Sequence, residues 1–132
     1  MEKLYVDTNI FIYLLISGSP HGAEAKKFFE RCKEQKTDCW TSAYTLAEIN
    51  SVLKSYSFNK QEIVLALDDT LKLGVKFIPL KEENIINALF GMSKGFSFGD
   101  SVHMATMREN KIKTIVSNDS DFERAGLKRV FL

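Results

Sequence analysis

The chain has few of the residues from which covalent or metal–thiolate scaffolds are built: its 132 residues include two cysteines, Cys32 and Cys39, and two histidines, His21 and His103. The cysteines have no His or Cys neighbour at zinc-ligand spacing and are too few for a disulfide framework, so both are expected to be reduced, small core residues. With so little histidine, no Ser/His/Asp or Cys/His relay can be assembled. Long hydrophobic runs are also missing. The longest, Ile10 to Ile16, has seven residues, far below the roughly 20 needed to cross a bilayer. Asp7 and Asn9 stand before it, where a secretory leader would be basic. No membrane span is expected, and the reading is cytoplasmic. Two prolines and seven glycines leave no linker, so one domain over residues 1–132 is expected. Nor does charge of one sign dominate: 18 Lys and Arg against 17 Asp and Glu leave +1. A polyanion would have to be held by a local patch and not by the molecule as a whole.

What is present alternates. Short apolar runs at Lys3–Val6, Cys39–Thr41, Val75–Ile78 and Thr114–Val116 predict strands, with Arg129–Phe131 as an edge strand. Between them, helical periodicity covers 21–36, 43–56, 60–73, 82–94 and 100–110. Ile10–Ile16, apolar all round, predicts a buried helix, with a dimer or partner contact as the sharper alternative. Strands alternating with helices predict an α/β fold, a three-layer α/β/α sandwich with a central, mostly parallel sheet.

In such a sheet the strands end at one edge, and ligands bind in the crevice there. Asp7 follows the first strand, and Asp119 follows the Thr114–Val116 strand closely. Glu48 lies little more than a turn into a helix starting near Ser42, on the flank of a stripe made by Leu46, Ile49, Val52, Leu53 and Tyr56. Asp100 opens the helix that leads back to the Thr114 strand. Converging carboxylates repel one another unless cations neutralise them. An all-oxygen donor set suits hard ions, Mg²⁺ or Mn²⁺, and such ions hydrolyse phosphate esters without a histidine base. A Walker-type glycine loop is absent, and a phosphatase of the haloacid dehalogenase type would need Asp where Asn9 stands.

Val6-Asp7-Thr8-Asn9, Thr45-Leu46-Ala47-Glu48, Asp100-Ser101-Val102-His103-Met104-Ala105 and Ser117-Asn118-Asp119-Ser120-Asp121-Phe122, in this order, resemble the PIN-domain ribonucleases, including VapC toxins of toxin–antitoxin systems. The resemblance spans the whole chain. It implies that Asp7, Glu48, Asp100 and Asp119 form an acidic quartet holding Mg²⁺ or Mn²⁺, with Asp121 as an auxiliary acid and the alternative fourth ligand. It also implies that Thr8, Asn9 and Ser117 orient these groups, that the substrate is RNA, and that the partners are an antitoxin protein and a second copy in a homodimer. The family usually has Ala where Ser101 stands. The alternative is a catalytically silent PIN-like module that only binds RNA or protein.

Each acid also has a plain structural role open to it. Asp7 can cap the next helix, and Asp119 or Asp121 the short segment before Gly126. Ser97 and Asp100 fit a capping box. Glu48 can be an exposed helix acid, and Glu82 and Glu83 are expected to open a helix at the same edge for the dipole alone. His103, one turn after Asp100, is expected to be a packed or hydrogen-bonded helix residue. Lys26, Lys27, Arg31, Lys33 and Lys36 are expected to form a solvated helix face, and Trp40, Phe28 and Phe29 to lie in the core.

Overall fold

A computed structural model describes residues 1–132. The chain runs β1 (Lys3–Val6), α1 (Thr8–Leu15), α2 (Gly22–Lys33), β2 (Asp38–Ser42), α3 (Tyr44–Ser55), α4 (Lys60–Leu71), β3 (Lys76–Ile78), α5 (Glu82–Ser93), α6 (Phe98–Glu109), β4 (Thr114–Val116), α7 (Asp121–Arg124) and β5 (Lys128–Val130). The five strands form one sheet in the order β3-β2-β1-β4-β5, and every pairing is parallel. The expected three-layer sandwich is therefore observed, with β5 at the edge.

Alternation along the strands sorts the core. Val6 and Val116 pack with Ile10, Phe11, Phe29, Ile49 and Leu53 from the α1–α4 layer. Their neighbours Tyr5 and Ile115 point the other way and pack with Met104, Met107 and Phe122 from the α6–α7 layer. Side chains that alternate with period two give a central sheet two apolar faces. Truncating a wholly buried residue such as Leu53 costs about 2–5 kcal/mol in cores of this kind. Cys32 and Cys39 are buried free thiols in contact with each other, Sγ to Sγ 2.7 Å. Gly74, at φ +82°, lets β3 approach them: a Cβ there would stand 2.7 Å from the Cys32 carbonyl oxygen.

Several expectations need correction. α1 starts at Thr8, not after the polar triplet, because Asp7 caps it. Only Ile10 and Phe11 of the Ile10–Ile16 run are buried; Ile12 to Ile16 are half-buried. The helix expected at 21–36 stops at Lys33, just before Gln35 takes a φ of 59°, while those at 43–56 and 100–110 end within one residue of expectation, ahead of Ser57 and Lys111 at φ 65° and 57°, a region that no helix continues through. α6 starts two residues before Asp100 because Ser97 is its cap. Tyr56 is 59% exposed and does not belong to the α3 stripe. Trp40 and Phe28 are half-buried, while Phe29 is core. The Trp40 ring has the Lys3 and Lys76 amines within 4.9 and 4.7 Å of its centroid.

Glu82 and Glu83 also lie elsewhere than expected. Asn84 and Asn87 of α5 donate to Glu109 at the far end of α6, and Gly91 packs on Ser101 near the α6 start. α5 is therefore antiparallel to α6 and begins away from Asp100, because residues 79–81 carry the chain off the sheet edge before the helix forms. No helix is long and apolar enough to cross a membrane.

Candidate metal centre

Parallel pairing brings the first acids together. The register places Val6 beside Val116, so Asp7 and Ser117 emerge side by side where β1 and β4 end. The Asp7 amide donates to the Val116 carbonyl at 3.0 Å. Asp7 is 7% exposed. One carboxylate oxygen accepts from the Thr8 amide at 2.8 Å and the other from the Ser117 hydroxyl at 2.6 Å. Capping and site-lining thus coincide in one residue. Burial pushes the Asp7 carboxyl above its ordinary range and Glu48 adds to the rise, while His103, Ser117 and Thr8 oppose it.

Glu48 comes from α3, half-buried. Its Oε1 accepts from the Thr8 hydroxyl at 2.6 Å and faces His103 Nε2 at 2.5 Å. The other His103 nitrogen meets the Tyr5 hydroxyl at 2.6 Å, and that hydroxyl accepts from the Ser42 amide at 3.2 Å. Donor directions that satisfy every atom run Ser42 N–H to Tyr5, Tyr5 O–H to Nδ1, and Nε2–H to Glu48. Burial pushes the Tyr5 hydroxyl up, keeping it protonated. Burial resists ionising both His103 and Glu48, but their mutual hydrogen bond and charge win, raising the histidine and lowering the glutamate. Glu48 Oε2 is left outside this network, beside Gly99, where a Cβ would come within 2.6 Å of it.

Asp100 lies in the first turn of α6. Its amide donates to the Ser97 hydroxyl at 3.1 Å, but its carboxylate makes no return bond, so the capping box is one-sided. The carboxyl is pushed up to about 6, first by burial, then by the charges of Asp7 and Asp119. The Asp119 amide donates to Ser117 Oγ, and its Oδ1 accepts the Asp121 amide at 2.9 Å, organising the start of α7.

Asp7, Glu48, Asp100 and Asp119, together with Thr8, Asn9, Ile12 and Val52, line one cavity of about 330 Å³. Asp121 is exposed and does not line it, although its carboxylate lies within 4.8 Å of those of Asp100 and Asp119. Asn9 Oδ1, a buried oxygen on the same cavity wall, has no hydrogen-bond partner. Clustered carboxylates, one of them raised in pKa by burial and by its neighbours' charges, and an orphan amide oxygen make a donor set that fits a hard divalent cation.

The PIN domain family matches residues 4–128. The chain belongs to the PIN-domain family. Solved structures share this PIN fold. A Mycobacterium tuberculosis protein, the sarcin–ricin-loop-cleaving toxin VapC20, is 22% identical with a TM-score of 0.80 over 96% of this chain and 98% of its own. A chain of Rickettsia felis VapBC2, bound to a DNA fragment from its promoter, is 19% identical with a TM-score of 0.73, covering 98% of each chain. A chain of DNA-bound VapBC from Salmonella typhimurium is 18% identical with a TM-score of 0.67, covering 99% of this chain and 98% of that one. No curated protein sequence matches the chain.

Two features of this PIN site escape a reading of the sequence by its acids alone. The Tyr5–His103–Glu48 network joins β1, α6 and α3 through partners 98 and 55 residues apart, and only the placement of His103 one turn after Asp100 signals it. Gly99 carries no local sign of its role, which is to leave room for Glu48.

Proposed function

We propose that this PIN protein is a divalent-metal-dependent endoribonuclease, the toxin of a toxin–antitoxin pair. The observation that carries the reading is that four carboxylates from four separate segments line a single cavity. Asp7, Glu48, Asp100 and Asp119 would hold Mg²⁺ or Mn²⁺, with Asp121 at the rim. Such an ion, when bound, supplies charge neutralisation at the scissile phosphate and activation of water. The protein's own groups do the rest. Thr8 and Ser117 fix the orientations of Glu48 and Asp7, and His103 holds Glu48 from beneath. Burial and the charges of Asp7 and Asp119 raise the Asp100 carboxyl to about 6, a strain that a bound cation would relieve. No buried base is needed, which agrees with the absence of a nucleophile–histidine pair.

Similarity in fold to a sarcin–ricin-loop-cleaving toxin and to VapBC complexes on DNA supports an RNA substrate and an antitoxin partner. Apolar surface for an antitoxin or a second copy is present on α1, where Ile12 to Ile16 are half-buried, and on α5, where Ile86 and Leu89 are each 58% exposed. The test is incubation of the purified protein with mixed RNA and Mn²⁺ or Mg²⁺, alongside Asp7→Asn and Asp100→Asn. The wild type is expected to cleave, and each variant to lose at least about 100-fold in rate, the scale of deleting one group that stabilises charge in a transition state. Equal cleavage by all three would sink the proposal, and failure to bind Mn²⁺ at millimolar concentration would favour a silent binding module.

A further inference from the structure

With a formal charge of only +1, the protein needs a local device to hold a polyanion, and the exposed basic face of α2 is interleaved with Glu24, Glu30 and Glu34. A different surface lacks such dilution. Two adjoining cavities, about 510 and 180 Å³, share Met104, Arg108 and Ala125 and together form a groove along α6. Lys94, Arg108, Lys111, Lys113 and Arg124 line it, and no acid does. None of these five takes part in an ion pair, whereas Lys36, Lys72, Lys76 and Arg129 elsewhere do.

The groove is built to face a ligand. The Arg124 guanidinium lies 4.2 Å from the centroid of the half-buried Phe96 ring, which holds it in place. Ser101, 1% exposed, lines the inner cavity, and its hydroxyl, buried beside Gly91, finds no partner in the protein. Direction matters as well. Ser101 directly follows Asp100, and Arg108 lies seven residues further on, roughly 10 Å along the helix at 1.5 Å per residue. The groove therefore begins one residue from Asp100, at Ser101, and its cations Arg108, Lys111 and Lys113 lie toward and beyond the far end of α6. A positively charged groove with an aromatic wall is how proteins follow a single nucleic-acid strand without reading its bases.

We propose that this groove binds the phosphate backbone of single-stranded RNA flanking the scissile bond. The proposal rests on the ribonuclease reading, but its test does not need cleavage. A fluorescein-labelled single-stranded 12-mer RNA is titrated in EDTA with the wild type, with the groove variant Arg108→Gln/Lys111→Gln/Lys113→Gln, and with the charge-matched α2 variant Lys26→Gln/Lys27→Gln/Arg31→Gln. Thermal melts confirm that all three are folded. The groove variant is expected to bind at least about 10-fold more weakly, with a slope of log affinity against log salt reduced by about 2, at roughly 0.7 per lost phosphate contact. The α2 variant should match the wild type.

Equal losses in both variants would mean that net charge alone is at work, and no loss in either would mean that the groove is idle; both overturn the proposal. Groove-dependent binding of a polyglutamate peptide with unchanged RNA binding would assign the surface to an acidic protein partner and overturn it too. If the wild type binds RNA through the groove yet cleaves nothing with Mn²⁺, the groove stands and the nuclease reading falls. If it cleaves but the groove variant binds as the wild type does, the reverse holds.

Discussion

The two sides of the carboxylate cavity are built differently. On one side, Asp7 has both oxygens hydrogen-bonded, and Glu48 has one oxygen clamped between Thr8 and His103. On the other, Asp100 has no side-chain partner beyond Ser97, and Asp119 uses one oxygen to start α7. The first side is completed by the fold. The second is left in electrostatic tension, with Asp100 raised by burial and by the charges of Asp7 and Asp119. This difference teaches that the site is a rigid anchor facing a set of acids whose repulsion a cation would relieve. Substitutions should therefore act unequally on the two sides: on the anchor side they should disturb geometry, and on the other they should trade affinity for stability.

The largest effect after loss of an acid is expected from Gly99→Ala. The new methyl would stand 2.6 Å from Glu48 Oε2, so the carboxylate must leave its place while the helix, which favours Ala over Gly by about 1 kcal/mol, remains. RNA cleavage should fall about 100-fold or more with little change in melting temperature. Cleavage at the wild-type rate would show that Glu48 need not be held where it is. Next comes His103→Ala, which removes the support beneath Glu48. Mn²⁺ affinity, measured by calorimetry in the absence of RNA, should weaken about 10–100-fold, as for other residues that orient metal ligands. His103→Gln, which can still donate to Glu48, should recover part of it. If His103 only fills space, both variants would lose stability and neither would change Mn²⁺ affinity.

On the opposite side the sign reverses. Asp100 in the folded protein holds its proton up to about pH 6, against an ordinary value of 3.8. Below about pH 4 both folded and unfolded chains are protonated there, and nothing is lost. Between about 4 and 6 the unfolded chain ionises first, so stability falls as pH rises and then levels off. Asp100→Asn removes that loss. In metal-free buffer above pH 6 the variant should be more stable than the wild type by about 1–2 kcal/mol, discounted for partial solvent exposure, and equal to it near pH 4. Adding Mn²⁺ should reverse the order by stabilising the wild type alone. Identical pH profiles in chelator would mean that the acids do not repel as their positions require.

This contrast also marks what can be read from the sequence. The sheet and its helices follow from apolar runs of strand and helix length, and the acids Asp7, Glu48, Asp100 and Asp119 follow from their positions after strands and at helix starts. Tertiary geometry decides the rest. The helix ends at Gln35, Ser57 and Lys111 depend on left-handed residues that are not glycine, which composition does not announce. The displacement of Glu82 and Glu83 depends on an extended exit from β3, invisible to a rule that starts every helix at the sheet edge. The cation groove assembles residues from the end of α5 to the end of α7, so no run of basic residues betrays it, while the obvious run on α2 is the one diluted by acids.

Asp121 gives the smallest expected effect and the finest division of the site. It is exposed and outside the cavity, yet close to Asp100 and Asp119. Its amide, not its carboxylate, is the group that Asp119 engages, so Asp121→Asn leaves that bond in place and removes only a solvent-screened charge. Cleavage at saturating Mn²⁺ should change by less than about 3-fold, with a modest rise in the Mn²⁺ concentration needed for half-maximal rate, since an exposed charge pair is worth about 1 kcal/mol or less. Asp119→Asn should instead lose activity that added Mn²⁺ does not restore. If the two variants exchanged behaviours, the fourth ligand would be Asp121, and the cavity wall would have to re-form around the start of α7 when the cation binds.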